Sequence, residues 1–402
     1  MIRTHIIPCN LKKEVADILN LESGHIYTQV MITHWRVFRH SGHWLSHYGA
    51  TQLNDWHNRD VPKKLFSHSI DAAQEGFYKA CKTAKAIKKI DPSTKYPHWT
   101  KRFRTTIWKS ASIKNQDNKL ILSNGRGNEK IIISLPNELQ SVLRFLEVRL
   151  VYDKRARKYV WHVIVENGKQ SQLASGTNIV SVDLGEIHPA VISDEHEANI
   201  ITCRKRRHAV QGHAKRLASI AKSLSRRKKG SIRYKKLIRT KTRMKAKHER
   251  VIRDMEHKIS RAIVNVAIER QANTIVMGDV RDIADGVNLS KQTNQKISTW
   301  NHGKIRKFTE YKADAVGIKV VLQDERYSSQ TCPNCQERHK PKGRNYKCPA
   351  CRFQSHRDVV GAINILSIHK WGKPGKIPAP TQIKHRIPLW VMRRCPDMGL
   401  AA

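Results

Sequence analysis

Cys332-Pro-Asn-Cys335 and Cys348-Pro-Ala-Cys351 are two C-x-x-C pairs with twelve residues between them. Each is a tight turn that presents two thiolates, and two such turns close a tetrahedral Zn²⁺ site. A ribbon of this kind names no function by itself, but its neighbours are acidic. Asp324-Glu325 lies just before it and Asp358 just after it. A further acid, Asp183, ends the apolar run Asn178-Ile-Val-Ser-Val and is followed by Leu-Gly. Carboxylates at element ends suit a two-metal phosphodiesterase centre. Mg²⁺ takes hard oxygen ligands, and a pair of ions can activate the attacking water and stabilise the leaving oxygen. In such a centre Asp183 bridges both ions, while Glu325 and Asp358 hold one each.

The elements that must position these groups sit in a strongly basic chain. Its 402 residues carry 76 Lys and Arg against 33 Asp and Glu, a net charge of +43. That charge repels itself unless a polyanion screens it, which points to nucleic acid. A membrane partner is not expected, because no apolar run approaches a spanning length and no lipidation motif is present. The start of the chain lacks the apolar core of a signal peptide, and the cysteines outside the two pairs are scattered. A reducing cytosol is therefore expected, without a disulfide framework.

Residues 1–10 are expected to form a strand and 11–90 to be mainly helical, with Leu65, Ile70, Ala73, Phe77, Ala80 and Ala84 along one helix face. Trp35, Trp44 and Trp56 fit core packing better than base stacking. In Tyr96-Pro-His-Trp-Thr-Lys-Arg-Phe-Arg, the residues Trp99, Lys101, Arg102 and Arg104 suit either a phosphate-and-base surface or an exposed basic loop. Residues 112–170 alternate apolar and polar, with turn signals at Asn124-Gly and Asn167-Gly, which predicts a small β-barrel that includes the N-terminal strand. A second domain opens at Asn178. Its segment Arg204 to Arg250 holds 20 Lys and Arg and one acid, Glu249, which predicts a helical hairpin that tracks phosphates, with the cluster Arg226, Arg227, Lys228 and Lys229 among its contacts to nucleic acid. Ile252, Met255, Ile259, Ile263 and Val266 would dock the end of the hairpin on a sheet. Asn273 to Gly278 and Gly317 to Glu325 read as strands, Trp300 to Ala315 and Val359 to Leu366 as helices, and the Pro-rich, basic residues 371–402 as an extended or disordered tail.

With these residues in place, the chain resembles the TnpB family, the RNA-guided nucleases of small insertion sequences, and is similar to compact type V CRISPR effectors. The resemblance rests on Ser67-His-Ser-Ile-Asp-Ala-Ala, Tyr96-Pro-His-Trp-Thr-Lys-Arg-Phe, Val182-Asp-Leu-Gly and Leu224-Ser-Arg-Arg-Lys-Lys-Gly-Ser. It continues in Tyr327-Ser-Ser-Gln-Thr-Cys-Pro-Asn-Cys and in Arg357-Asp followed by Ala362-Ile-Asn-Ile.

The resemblance implies an α/β multidomain fold. A β-barrel wedge domain (1–10 and 111–176) carries an inserted helical recognition domain (11–110). An RNase H-like RuvC nuclease domain (177–330 and 353–370) carries an inserted zinc ribbon (331–352), and a basic tail (371–402) follows. It implies a guide RNA from the element's end, a duplex DNA target beside a short motif, two catalytic Mg²⁺ ions at Asp183, Glu325 and Asp358, and structural Zn²⁺ on Cys332, Cys335, Cys348 and Cys351.

Two positions depart from the family pattern. The second catalytic acid normally ends the strand that here ends at Gly278, and Asp279 is expected to point to the other face. Glu325 is expected to replace it from the adjacent strand, about 4.8 Å away. Val360-Gly361 stands where the family has Asn-Ala. The alternative function is a nuclease-inactive, RNA-guided DNA-binding repressor, which Gly278 would favour.

Overall fold

A computed structural model describes residues 2–57, 64–125, 127–140, 142, 144–154, 156–166, 176–281 and 290–387. The Asn167-Gly turn and the tail residues 388–402 lie outside these. Two compact units are present, Met1–Lys169 and Gln170–Ala402.

The first unit contains β1 (Ile2–Pro8), α1 (Lys13–Ser41), α2 (His47–His57), α3 (Ser67–Lys88), β2 (Thr106–Lys109), β3 (Ile113–Gln116), β4 (Lys119–Leu122), β5 (Ile131–Ser134), β6 (Arg144–Asp153) and β7 (Lys158–Glu166). The strands form two antiparallel sheets, ordered β1-β7-β6-β2 and β3-β4-β5. Period-two alternation turns Trp108, Leu120, Leu122, Ile131, Ile133, Val148, Leu150, Trp161 and Val163 into one shared core. Trp108 and Trp161 meet there edge to face at 5.7 Å. The N-terminal strand joins the β-rich part as expected, through β7. The expected boundary at residue 111 is too late, because Thr106–Lys109 already pairs with β6. The helices pack around Tyr27, Val30, Met31, Leu45 and Phe77. Trp35 is partly buried against that cluster, whereas Trp44 and Trp56 are exposed.

The second unit contains β8 (Asn178–Asp183), β9 (Ala190–Ser193), β10 (Glu197–Ile201), α4 (Arg204–Ser225), α5 (Ile232–Glu269), β11 (Ala272–Gly278), α6 (Lys291–Ser298), α7 (His302–Asp314), β12 (Lys319–Gln323), β13 (Asn345–Lys347), β14 (Gln354–His356), α8 (Arg357–Trp371) and β15 (Gln382–Arg386). Its main sheet is ordered β12-β11-β8-β9-β10-β15. β8, β11 and β12 run parallel, and β9 is antiparallel to both β8 and β10.

Each face of this sheet is covered by a helix. Val180, Val182, Ile275 and Met277 pack with Ile252, Met255, Ile259, Ile263 and Val266 of α5, the predicted docking face. Each such buried side chain contributes roughly 2 kcal/mol. Strand alternation turns Asp183 and Gly278 to the opposite face, where α8 packs on β8, β9 and β11.

The tail does not fit the expectation of disorder over its described part. Gln382–Arg386 pairs parallel to β10 and covers its edge. Its cations are neutralised locally: Lys384 Nζ lies 2.6 Å from the buried Glu197, Arg386 Nε donates to Asn199 Oδ1 at 2.6 Å, and Arg386 Nη2 pairs with Glu269 at 2.7 Å. Among the described residues, no helix is long and apolar enough to cross a membrane.

Candidate functional site

The carboxylates converge because of strand order. β12 lies beside β11 with Gln323 opposite Gly278, so the chain leaving β12 carries Glu325 back over the end of β11. A methyl group built on Gly278 would collide with Glu325 Oε2 and lie 3.0 Å from Ile365 Cδ1 of α8. The Glu325 carboxylate thus occupies the space where a side chain at 278 would begin.

Asp183 ends β8 on the same face. A methyl group on Gly361 would lie 2.6 Å from Asp183 Oδ2, so the missing Cβ in α8 is what admits this carboxylate. Val360 packs beside Cys332, Tyr346 and Cys348. Both departures at 360–361 therefore have local reasons. Asp358 stands in the first turn of α8, 13% exposed, and its Oδ2 accepts from Arg344 Nη1 at 2.5 Å. α8 is locked in place by the fully buried Asn364, whose Nδ2 donates to the carbonyls of Ser328 (2.7 Å) and Thr331 (2.8 Å) while its Oδ1 accepts from Gly375 N–H at 2.8 Å.

Charge at this site is under-compensated. Burial first, then Glu325 and Asp358, push the Asp183 carboxyl well above the usual range, against the opposing pull of Arg357 and Arg344. Burial, helped by Asp279 and Asp324, pushes Glu325 up to about 7, and its Oε2 is buried without a hydrogen-bond partner. Buried carboxylates that raise one another's pKa, one of them with an orphaned oxygen, fit a divalent cation.

Asp279 behaves differently. Its carboxylate is held by Arg281 through Nε (2.9 Å) and Nη2 (2.5 Å), which keeps its pKa low. It is close enough to act on Glu325, so the ion pair with Arg281, as well as strand alternation, occupies it.

The four cysteines cluster as predicted. Sγ of Cys332 lies 3.6 Å from Cys351 and Sγ of Cys335 lies 3.5 Å from Cys348, with all four sulfurs within 4.8 Å. A tetrahedral Zn²⁺ with bonds of about 2.3 Å places its sulfurs about 3.8 Å apart, so the set fits zinc. Burial pushes the Cys332 thiol up to about 12, while hydrogen bonds from Asn334 and the Phe353 backbone hold Cys351 down to about 6. The β13–β14 hairpin and the Thr331–Arg338 bridge frame the cluster, so the ribbon's framework extends to His356, beyond residue 352.

The predicted nucleic-acid residues divide into two groups. Arg226, Arg227, Lys228 and Lys229 lie exposed in the turn between α4 and α5. The hairpin is capped where it turns back by Ser231, which accepts from Tyr234 N–H at 3.2 Å. At its base, the buried pair Arg206 and Glu256 lies 4.0 Å apart, and Asn301 donates to Glu256 at 2.8 Å.

The 96–104 segment is an ordered strap. Trp35 Nε1 donates to Pro97 O at 2.8 Å and Lys101 N–H to Thr28 Oγ1 at 2.9 Å. Gly24 lets the strap lie on α1, since a methyl group there would sit 2.5 Å from Arg102 O. Trp99, Lys101 and Arg102 face outward. Arg104 does not join them. Its guanidinium crosses Gly76, donates to Ala73 O at 3.0 Å and stacks over Tyr27 at 4.8 Å, so it serves the packing of α1 on α3.

Three residues near the carboxylates were not among the predicted ones. Arg344 contacts Asp358 from the ribbon. His188 and His356 bring ring nitrogens within 4.8 Å of a carboxylate oxygen of Asp358. A histidine two residues before Asp358 was the visible signal, whereas Arg344 and His188 carried none.

A family model described as "Probable transposase" (OrfB_IS605) matches residues 162–284, and one described as "Cas12f1-like, TNB domain" matches residues 302–365. The chain is 29% identical over 199 residues to the TnpB-like protein MJ0751 of Methanocaldococcus jannaschii, a match that covers 47% of this chain and 68% of that protein.

The chain is similar to TnpB-like proteins.

A similarity to CRISPR effectors accompanies it. The chain is 31% identical over 112 residues to the CRISPR-associated endodeoxyribonuclease Cas12f1 of Sulfoacidibacillus thermotolerans, a match that spans 27% of this chain and only 25% of that protein. Among solved structures, the Cas12f1–sgRNA–target DNA complex superposes with a TM-score of 0.62 at 13% identity, covering 88% of this chain and 83% of that one. The mini-RNA-guided endonuclease CRISPR-Cas_phi3 superposes with a TM-score of 0.52 at 11% identity, covering 94% of each. The chain thus shares the α/β multidomain fold of compact Cas12 effectors.

Proposed function

We propose that this chain is an RNA-guided DNA endonuclease of the TnpB kind whose second unit is an RuvC-type, RNase H-like nuclease. The observation that carries the proposal is the placement of Glu325 over Gly278, beside Asp183. Where the family's acid is absent, a second carboxylate fills its space from the neighbouring strand. The mixed sheet with β8 and β11 at its centre supports the RNase H-like reading.

Asp183, Glu325 and Asp358 would hold two Mg²⁺ ions, which when bound supply Lewis acidity for an attacking water and a leaving oxygen. The chain's own part is positional. β8 and the turn after β12 fix two of the carboxylates, Asn364 anchors α8 and with it Asp358, and Ile365 walls the site beside Gly278. Zn²⁺ on Cys332, Cys335, Cys348 and Cys351 would keep the ribbon, and with it Arg344, against Asp358.

The partners follow from the relatives and from charge: a guide RNA transcribed from the element's end and a duplex DNA target beside a short motif. Trp99, Lys101, Arg102 and the 226–229 turn are the chain's outward contacts for them. The barrel of the first unit, from β1 and from β2 onward, is the wedge domain. Its helices form the recognition domain, and the 331–352 insertion is the zinc ribbon.

The test is Mg²⁺-dependent cleavage of a guide-matched duplex, with binding measured in parallel. Glu325→Gln and Asp183→Ala are expected to lower cleavage by orders of magnitude, each tenfold being about 1.4 kcal/mol of barrier, while binding persists. Asp279→Asn is expected to do much less. Equal cleavage by wild type and Glu325→Gln refutes the relocated acid. Intact binding without cleavage in wild type favours the nuclease-inactive repressor.

A further inference from the structure

Among the described residues, two groups of three or more His, Cys, Asp or Glu side chains bring all their ligand atoms within 4.8 Å of one another. The first is the four-cysteine set. The second is His188, His356 and Asp358. The second group joins two segments far apart in sequence. Gly185 follows Asp183 by two residues and shapes the β8–β9 turn: a methyl group on it would lie 2.6 Å from the His188 carbonyl oxygen, so the turn closes tightly and brings His188 over the start of α8. His356 is the N-cap of α8, two residues before Asp358. The rings of His188 and His356 meet at 75° with centroids 5.2 Å apart. Thr202 Oγ1 stands 3.5 Å from His188 Nδ1, within reach to orient that ring.

We propose that His188, His356 and Asp358 form a borderline-metal position, so that the two cation positions of this site differ in chemistry. The inference rests on the nuclease reading for what the ion does, but not for whether it binds. On the side of Asp183 and Glu325 the donors are carboxylate oxygens, which suit Mg²⁺. On the side of Asp358 two imidazoles converge, and imidazole favours first-row ions such as Mn²⁺, Co²⁺ or Zn²⁺ over Mg²⁺. Two histidines and one carboxylate leave the remaining positions of a six-coordinate ion open to water or a phosphate oxygen.

Two existing contacts set the terms. Arg344 already takes Asp358 Oδ2, so an ion there would share this carboxylate with a guanidinium. The Asp358 N–H donates to His356 Nδ1 at 3.2 Å, a long bond that a metal on either ring nitrogen replaces, directly at Nδ1 or through the change of tautomer that binding at Nε2 requires.

The experiment uses the full chain with its ribbon loaded with Zn²⁺ and Mn²⁺ as the probe, because Mn²⁺ competes poorly for thiolates and reports its ligands by pulsed electron paramagnetic resonance. Wild type is expected to bind Mn²⁺ with imidazole-nitrogen coupling. His188→Ala and His356→Ala are each expected to reduce that coupling and to weaken Mn²⁺ binding on the order of tenfold or more, with zinc content unchanged as the check on folding. His188→Asn, which keeps a polar side chain in the turn, is expected to lose the coupling from that ring as well.

Mn²⁺ bound without nitrogen coupling in wild type overturns the proposal, as do His188→Ala and His356→Ala variants with wild-type affinity and coupling. Cleavage of a guide-matched duplex, run in Mg²⁺ and in Mn²⁺, separates the two readings. Nitrogen-coupled Mn²⁺ with no cleavage in either metal supports the site and sinks the nuclease. Cleavage in Mg²⁺ with no nitrogen coupling sinks the site alone.

Discussion

Two glycines decide how the carboxylates fit, and both can be tested by adding one carbon. At Gly278 a Cβ collides with Glu325 Oε2 and presses on Ile365. Gly278→Ala is expected to displace the Glu325 carboxylate and to reduce Mg²⁺-dependent cleavage about 10- to 100-fold, corresponding to roughly 1.4–3 kcal/mol of barrier, with guided binding retained. Cleavage at the wild-type rate would show that Glu325 relaxes without loss.

The raised pKa of Glu325 predicts a sign. Its folded value of about 7 exceeds its ordinary value of 4.5, so the metal-free folded chain holds a proton that the unfolded chain releases. Stability from this group is fully present below the unfolded value and is lost as pH rises towards 7. The metal-free chain should therefore melt at lower temperature at pH 8 than at pH 5.5 through this group, and Glu325→Gln should flatten that part of the profile. Mg²⁺ should restore stability at pH 8, because the ionised carboxylate is the ligand. A Glu325→Gln profile parallel to wild type would contradict this.

At the scale of elements, the ribbon and the last strand are additions that the sheet depends on. The ribbon touches the site twice, through Arg344 on Asp358 and through the Ser328 and Thr331 carbonyls that hold Asn364. Cys348→Ser removes one of four thiolates, and a structural zinc contributes folding energy directly. The variant is expected to lose stoichiometric zinc by elemental analysis and to lower the melting temperature, and it should also slow cleavage, because α8 loses part of its clasp. Full zinc occupancy in the variant would remove the ribbon assignment.

β15 covers the edge of β10 and brings Lys384 to the buried Glu197. Ending the chain after residue 380 leaves that acid with Arg270 alone as its ion-pair partner among the described residues and opens a strand edge. Lower thermal stability and a greater tendency to aggregate in light scattering are the expected results. A truncated chain that melts and scatters like the full one would show that β15 is dispensable.

For the whole molecule, +43 charges matter more than any single interaction. Nucleic-acid binding should fall steeply with salt, because each phosphate neutralised by Lys or Arg releases counterions. Neutralising Arg226, Arg227, Lys228 and Lys229 together should reduce the slope of log affinity against log salt by up to about 0.9 for each duplex phosphate that no longer meets a cation, or about 0.7 for a single strand. The weakening should be similar across sequences. Arg104→Ala should act otherwise. Its guanidinium is engaged with Ala73 and Tyr27, so its removal should lower the melting temperature of the first unit and leave the salt slope in place. A reduced slope in Arg104→Ala, or an unchanged one in the four-residue variant, would reverse these assignments.

Local chemistry was legible without coordinates. The spacing of the cysteines, the acid that ends β8, the long basic hairpin with its apolar docking face, and the alternating β-rich segment each depend on neighbours in the chain, and each is found in the structure, whereas β12 ends at Gln323 and leaves Glu325 in the turn beyond it. Contacts between distant segments were legible only where strand order could be reasoned. The parallel pairing of β11 with β12 made Glu325 a candidate, but only the packed site shows its carboxylate in the space above Gly278 and Asp183 against Gly361. Four outcomes required the tertiary structure: the burial of Arg104, the pairing of β15 with β10, the grip of Arg344 on Asp358, and the approach of His188 to His356. Each is set by which surfaces remain uncovered once the sheets and helices have packed. No periodicity or spacing encodes that, because the energy that selects it comes from groups far apart in the chain.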